Sequence, residues 1–208
     1  MTTQFTDNFA GSGALDSTIW SPTPAALQTP AGDTDLTQSG GFCLCASGSD
    51  GEAWGTNVSP GADCSITAVI HALASDGGID LGVRTIHVST WISGYYVILQ
   101  YAAGVMGLTM QKSTLAGFGG NVGTIGGVAV TVTLPCTVKF EAIGSAISVY
   151  VNGTLADTGT DTELTAAGRP YFYMTNTTST HAEIDSIVFD ATLPTDFWTD
   201  FVKTSEIL

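Results

Sequence analysis

The chain is 208 residues long and carries 19 acidic against 5 basic residues, a formal charge of −14 at pH 7. So few basic residues exclude a surface that binds nucleic acid. No apolar segment approaches the length of about 18 residues that is needed to cross a bilayer. Hydrophobic residues make up 44% of the chain, only 12% are charged and 25 are glycine, which favours strands and turns around one core.

The N-terminal residues 1–7 contain neither a basic nor an apolar segment of the kind found in secretory signals. We therefore expect the chain to fold in a cytosol, where cysteines stay reduced. Cys43 and Cys45 lie two apart and point to one strand face. Together with Cys64 and Cys136, they are predicted to be reduced core residues.

Alternation of apolar and polar residues predicts strands along most of the chain, at 41–46, 65–70, 81–91, 95–101, 104–112, 128–134, 137–158 (a three-strand meander), 170–175 and 183–190. Apart from Gln100, residues 95–101 are apolar or aromatic on both faces, as in a central strand covered on both sides. Residues 75–80 are assigned to a polar turn, and Asn152-Gly153 to a type I′ hairpin turn. Two packed antiparallel sheets account for this pattern.

Beyond Pro194 the apolar period changes from that of a strand to that of a helix. Phe197, Trp198, Phe201 and Val202 fall on one face of a short helix. We predict a β-sandwich domain over 1–193 and an amphipathic helix or arm over 194–208. These four residues are the predicted assembly contact, either with the chain's own sandwich or with a neighbouring subunit.

A family resemblance lies at both ends of the predicted sandwich. The opening residues Asp7, Asn8, Phe9, Gly11, Leu15 and Trp20, with the turn glycines and core positions of 140–187, resemble concanavalin A-like lectin/glucanase domains, the group that includes laminin-G-like modules. The resemblance implies an all-β, two-sheet antiparallel jelly-roll sandwich.

Within that group, a short acidic chain rich in Gly, Ala and Thr resembles minor tail and capsid decoration proteins of tailed bacteriophages. This resemblance implies a non-enzymatic virion structural protein that folds in the host cytoplasm. Its expected partners are other virion proteins, further copies of the chain as a homo-oligomer, and a glycan on the host surface held through many copies.

Aromatic side chains beside polar loops are the candidates for glycan binding. A sugar ring stacks on an exposed aromatic face, whereas most aromatic residues of a sandwich lie in its core. The four aromatic residues nearest to Gly-rich, polar loops are Trp54, Trp91, Tyr95 and Tyr96.

Glu183 and Asp185 resemble the start of the Glu-x-Asp-x-x-Glu signature of the family's glucanases. The third acid is missing, since positions 187 and 188 are Ile and Val. A glycosidase needs two facing carboxyl groups, so we expect no catalytic site. The alternatives are a glycan-degrading enzyme of the glucanase branch and a free carbohydrate-binding module.

No cofactor is expected. The three histidines, His71, His87 and His181, lie too far apart in the sequence to show the spacing of zinc ligands. Calcium is the one ion left open. Oxygen-rich loops that suit it lie at 33–35, 47–52 and 157–163.

Overall fold

The structure is a computed structural model that describes residues 1–22, 36–45, 49–55, 61–75, 77–88, 91–114, 122–176 and 182–192. Within these ranges the secondary structure consists of strands, and no helix that could span a membrane is found there. The strands are β1 (Thr2–Asp7), β2 (Gly13–Ala14), β3 (Trp20–Pro22), β4 (Thr37–Ser39), β5 (Phe42–Cys45), β6 (Ser49–Gly55), β7 (Cys64–Ala72), β8 (Gly78–Val88), β9 (Trp91–Ala102), β10 (Val105–Ser113), β11 (Val122–Thr131), β12 (Cys136–Ile143), β13 (Ala146–Val151), β14 (Thr154–Thr160), β15 (Arg169–Asn176) and β16 (Ala182–Ala191).

These strands form two antiparallel sheets. The nine-strand sheet has the order β14-β13-β12-β7-β16-β5-β4-β2, with β1 paired to β16. The seven-strand sheet has the order β11-β10-β9-β8-β15-β6-β3. Their facing sides bury one core, which includes Ile66 and Phe140 from the first sheet and Leu81 and Phe172 from the second. The predicted two-sheet antiparallel sandwich is confirmed.

Several local predictions are also confirmed. Residues 137–158 form the meander β12-β13-β14. Asn152 and Gly153 have φ angles of 50° and 77°, the positive values that a type I′ turn requires of both central residues. All four cysteines are buried and none of them forms a disulfide bond.

Two predictions need correction. Strand β8 begins at Gly78, so the polar turn assigned to 75–80 ends earlier, because Ile79 packs into the core and fixes its neighbours in the ladder. Strand β9 is fully covered on one side only. On its other side Ile98 is half-buried and Gln100 is exposed.

Asp7 fastens the first strand to the core. Its carboxylate accepts hydrogen bonds from the Trp20 indole at 2.6 Å and from the Phe9 backbone N–H at 2.8 Å. The Trp20 ring in turn meets Phe172 edge-on, with centroids 4.8 Å apart. Each oxygen of this buried carboxylate thus has one hydrogen-bond donor, which offsets the cost of placing the acid among apolar residues.

Arg84 connects the far end of β8 to three loops. The ladder between β8 and β9 shifts register here, and Arg84 has a φ of 53°. Its buried guanidinium donates to the carbonyl oxygens of Ala62, Leu164 and Gly144, and it lies 3.6 Å from the Asp63 carboxylate. These loops lead into β7, join β14 to β15 and join β12 to β13. Arg84 therefore holds the two sheets together at one end of the sandwich.

Replacing Arg84 by Met is expected to lower the free energy of unfolding by about 3–5 kcal/mol, because three carbonyls lose their donor and Asp63 loses its counter-charge. Urea unfolding at pH 7 measures this loss. Arg169→Met, at an exposed position on β15, is the control and should change stability by no more than about 0.5 kcal/mol. Equal losses for both variants would contradict the assignment.

The tail predicted at 194–208, with its assembly residues Phe197, Trp198, Phe201 and Val202, lies outside the described residues. So does residue 193, where the sandwich was predicted to end. Both stay predictions.

Candidate functional site

Strand β8 presents a carboxyl group on the outer face of the seven-strand sheet. Ile79, Leu81 and Val83 are fully buried in the core. Because successive residues of a strand point to opposite faces, Asp80 and Gly82 lie on the outer face. Asp80 is half-buried there, between the neighbouring strands β15 and β9.

A second carboxyl group lies two strands away on the same face. Glu52 on β6 and Asp80 on β8 are both in register with Tyr173 on β15. Residues directly opposite each other in an antiparallel ladder share a face, so the three side chains lie in one row. Two strand spacings separate the Cα atoms of Glu52 and Asp80 by about 9–10 Å. The two acids thus flank a tyrosine.

An aromatic cluster borders this row. The Tyr171 ring meets Trp54 at 5.1 Å and Tyr96 at 5.7 Å, edge-on in both cases. The Tyr171 hydroxyl donates to Oε2 of Glu52 at 3.0 Å. A Cβ atom on Gly82 would lie 3.0 Å from the Tyr171 ring and 3.1 Å from the Tyr96 ring, so the missing side chain lets the tyrosines meet. We call this surface the acidic-aromatic face, formed by Glu52, Trp54, Asp80, Tyr96, Tyr171 and Tyr173.

The surroundings of Asp80 favour its protonated form. Burial raises the pKa of this carboxyl from an ordinary 3.8 to about 7, and desolvation is the sole cause. Burial also raises the pKa values of Tyr96 and Tyr171 well above 10, with further increases from the nearby charges of Asp80 and Glu52. Both tyrosines therefore stay protonated near neutral pH, and Asp80 can donate a proton there.

The four aromatic residues predicted for glycan binding take different positions. Trp54 and Tyr96 belong to the acidic-aromatic face. Tyr95, the neighbour of Tyr96 on β9, points the opposite way into the core, where its hydroxyl donates to Asp161 at 2.8 Å. Trp91 lies on β9, and its side chain is outside the described part of the structure.

The acids that resembled the glucanase signature lie elsewhere. Glu183 and Asp185 are on β16 in the nine-strand sheet, and Glu183 Oε2 is 3.9 Å from Nε2 of His71. The sequence interpretation missed Glu52, Asp80, Tyr171 and Tyr173. One signal was available, since Tyr171, Tyr173 and Thr175 alternate with Phe172 and Met174 along β15.

No group of three or more His, Cys, Asp or Glu side chains arranged to hold a metal occurs among the described residues. Of the loops considered for calcium, 33–35 and residues 47–48 lie outside those residues. Of the predicted loop 157–163, residues 157–160 belong to β14. Asp161 beyond them accepts hydrogen bonds from Lys112 and Tyr95, so its oxygens already serve protein contacts.

Neither a protein-family profile nor a curated protein matches the sequence. Solved structures do match the fold. A prokaryotic β-1,3-1,4-glucanase (lichenase) derived from a mouse hindgut metagenome matches with a TM-score of 0.62 at 9% identity, over 92% of this chain and 100% of that chain. The Bacillus licheniformis β-glucanase matches with a TM-score of 0.60 at 9% identity, over 92% of this chain and 99% of that chain. The κ-carrageenase from Pseudoalteromonas carrageenovora, in complex with an oligotetrasaccharide of κ-carrageenan, matches with a TM-score of 0.59 at 11% identity, over 90% of this chain and 94% of that chain.

These matches confirm the concanavalin A-like jelly-roll fold, and at 9–11% identity the likeness establishes the fold alone. They contradict the leading functional prediction of a non-enzymatic phage virion protein, because the similar structures are glucanases and a carrageenase. The predicted virion location, host-cytoplasm folding, virion partners and homo-oligomer stay predictions.

Replacing Asp80 by Asn should stabilise the protein more at high pH than at low pH. The raised pKa means that the fold favours the protonated carboxyl, so the wild type loses stability as pH rises from about 4 to about 7. Asn does not ionise and escapes this loss. Urea unfolding measures the free energy of unfolding of Asp80→Asn and of the wild type at pH 4.5 and pH 8. The value for the variant minus that for the wild type should be at least about 1 kcal/mol larger at pH 8 than at pH 4.5. A difference independent of pH would refute the assignment.

Proposed function

We propose that this protein binds a glycan at the acidic-aromatic face and hydrolyses it, with Asp80 as the general acid. The observation that carries the proposal is the half-buried Asp80 carboxyl, whose pKa is about 7, in one row with a second carboxyl group. A general acid works best when its pKa lies near the working pH. The fold likeness to glucanases and a carrageenase supports the same reaction class.

Aromatic rings supply the sugar-binding surface. Tyr173 is half-buried between the two acids, where a sugar ring that stacks on it would place its glycosidic bond between Glu52 and Asp80. Trp54 and Tyr171 are almost fully buried beside it, and their packed rings support the surface on which the sugar would lie. A few polar groups among aromatic rings are typical of carbohydrate and other small-ligand sites.

The two carboxyl groups divide the chemistry between them. Asp80 donates its proton to the glycosidic oxygen as the bond from that oxygen to the anomeric carbon breaks. Glu52 removes a proton from the water molecule that attacks the same carbon. One water is consumed for each bond cleaved. Asp80 ends ionised and Glu52 ends protonated, and proton exchange with solvent restores both.

The second acid comes from another strand because β8 offers none. The nearest positions of β8 on the same face as Asp80 are Gly78 and Gly82, which have no side chains. Glu52 lies across β15 instead, and its Cα atom is about 9–10 Å from that of Asp80. Side chains that stand roughly perpendicular to one sheet face keep a similar spacing at their carboxyl groups. That spacing is nearer to the value of about 6.5–9.5 Å in inverting enzymes than to the value of about 5–5.5 Å in retaining ones.

Asp80→Asn and Glu52→Gln are each expected to slow hydrolysis by about 100-fold or more, because each removes one proton transfer. Release of reducing ends from mixed-linkage β-1,3-1,4-glucan, β-1,3-glucan and κ-carrageenan measures the rate. The wild-type rate should fall as pH rises above about 7, where Asp80 loses its proton.

Glu183→Gln, on the opposite sheet, is the matched control and should retain the wild-type rate. Two results would overturn the proposal: binding of these glycans without any cleavage, or cleavage that Asp80→Asn leaves unchanged.

The first product of cleavage should carry the inverted anomeric configuration, because water attacks the face opposite the leaving group in a single displacement. Proton NMR of the reaction, recorded before the sugar mutarotates, distinguishes the two anomers. A retained anomer would mean that Glu52 is not the base of a single displacement.

A further inference from the structure

Tyr171 reaches Glu52 along a diagonal of the sheet. In the ladder between β15 and β6, Tyr171 lies opposite Trp54, and Glu52 lies opposite Tyr173. The 3.0 Å hydrogen bond from the Tyr171 hydroxyl to Oε2 of Glu52 therefore joins residues that are one face position apart. Such diagonal neighbours are within reach of aromatic side chains. The bond ties the carboxylate to a neighbouring strand.

The Tyr171 ring has little room to move. It is 5% exposed and lies between Trp54 and Tyr96, with ring planes inclined at 73° and 87°. The absent side chain at Gly82 leaves the space in which the two tyrosines meet. A ring held from both sides keeps its hydroxyl in one place.

The hydroxyl is also a constant donor. Burial raises the pKa of Tyr171 well above 10, and the charge of Glu52 raises it further. The proton therefore stays on Tyr171 across the pH range in which Asp80 holds its own proton. The hydrogen bond to Glu52 persists under those conditions.

We infer that Tyr171 is a positioning residue for the proposed hydrolysis, which holds the Glu52 carboxylate beside Tyr173 at the place where the attacking water must be deprotonated. This inference rests on the proposed function. Displacement of a reacting group by about 1 Å can cost about 100-fold in rate, so a fixed carboxylate matters to the chemical step more than to substrate binding.

Tyr171→Phe tests this role, because Phe keeps the ring and its two aromatic contacts and removes only the hydroxyl. We expect kcat to fall about 10–100-fold, with KM within about 3-fold of wild type. Tyr150→Phe is the matched control, since the Tyr150 hydroxyl donates to Oε1 of Glu141 at 2.8 Å on the opposite sheet. It should leave both constants unchanged.

A double variant separates positioning from general damage. If Tyr171 acts through Glu52, Tyr171→Phe should slow the Glu52→Gln enzyme by less than about 2-fold. Independent, multiplicative losses would overturn the inference, as would a Tyr171→Phe enzyme with wild-type kcat. In both cases cleavage by the wild type and its loss in Asp80→Asn would leave the proposed function standing. A wild-type protein that cleaves none of the three glycans would overturn both.

Discussion

The alternation of side chains along β8 links the core to the candidate site. Ile79, Leu81 and Val83 close the core from the seven-strand sheet, and this burial leaves Asp80 no other side than the outer face. Strands β15 and β9 flank it and carry large side chains on that face. Their bulk removes water from the carboxyl, and the loss of water raises its pKa. The packing that stabilises the fold thereby also prepares an acid that holds a proton near neutral pH.

Arg84 links strand β8 to loops that connect the strands of both sheets. It follows the outer-face residues of β8, and its guanidinium reaches loops that lead to β7, β13 and β15. Gly168 is required at this point, because a Cβ atom there would lie 2.2 Å from the Arg84 carbonyl carbon. Since β15 also carries Tyr171 and Tyr173, the Arg84 contacts fix two of the strands that form the acidic-aromatic face relative to one another.

The two acids of that face come from different strands, unlike the single-strand signature sought in the sequence. Glu183 and Asp185 carried the resemblance to that signature, yet they lie in the other sheet. The sequence interpretation sought facing acids along one strand, and it therefore missed this pair. In the folded chain, β15 brings Glu52 and Asp80 into one row although it follows both in the sequence by a long interval.

The sequence by itself determined the strands beyond residue 60 in outline, the two-sheet sandwich, the Asn152-Gly153 turn and the buried cysteines, because each depends on local alternation or on the φ preference of one or two residues. Only the tertiary structure decided that Glu52 and Asp80 share a row, and that Tyr96 faces the acids while Tyr95 enters the core. The physical reason is that the register between strands distant in sequence is set by burial of the whole core, and a shift of one residue would exchange the two faces.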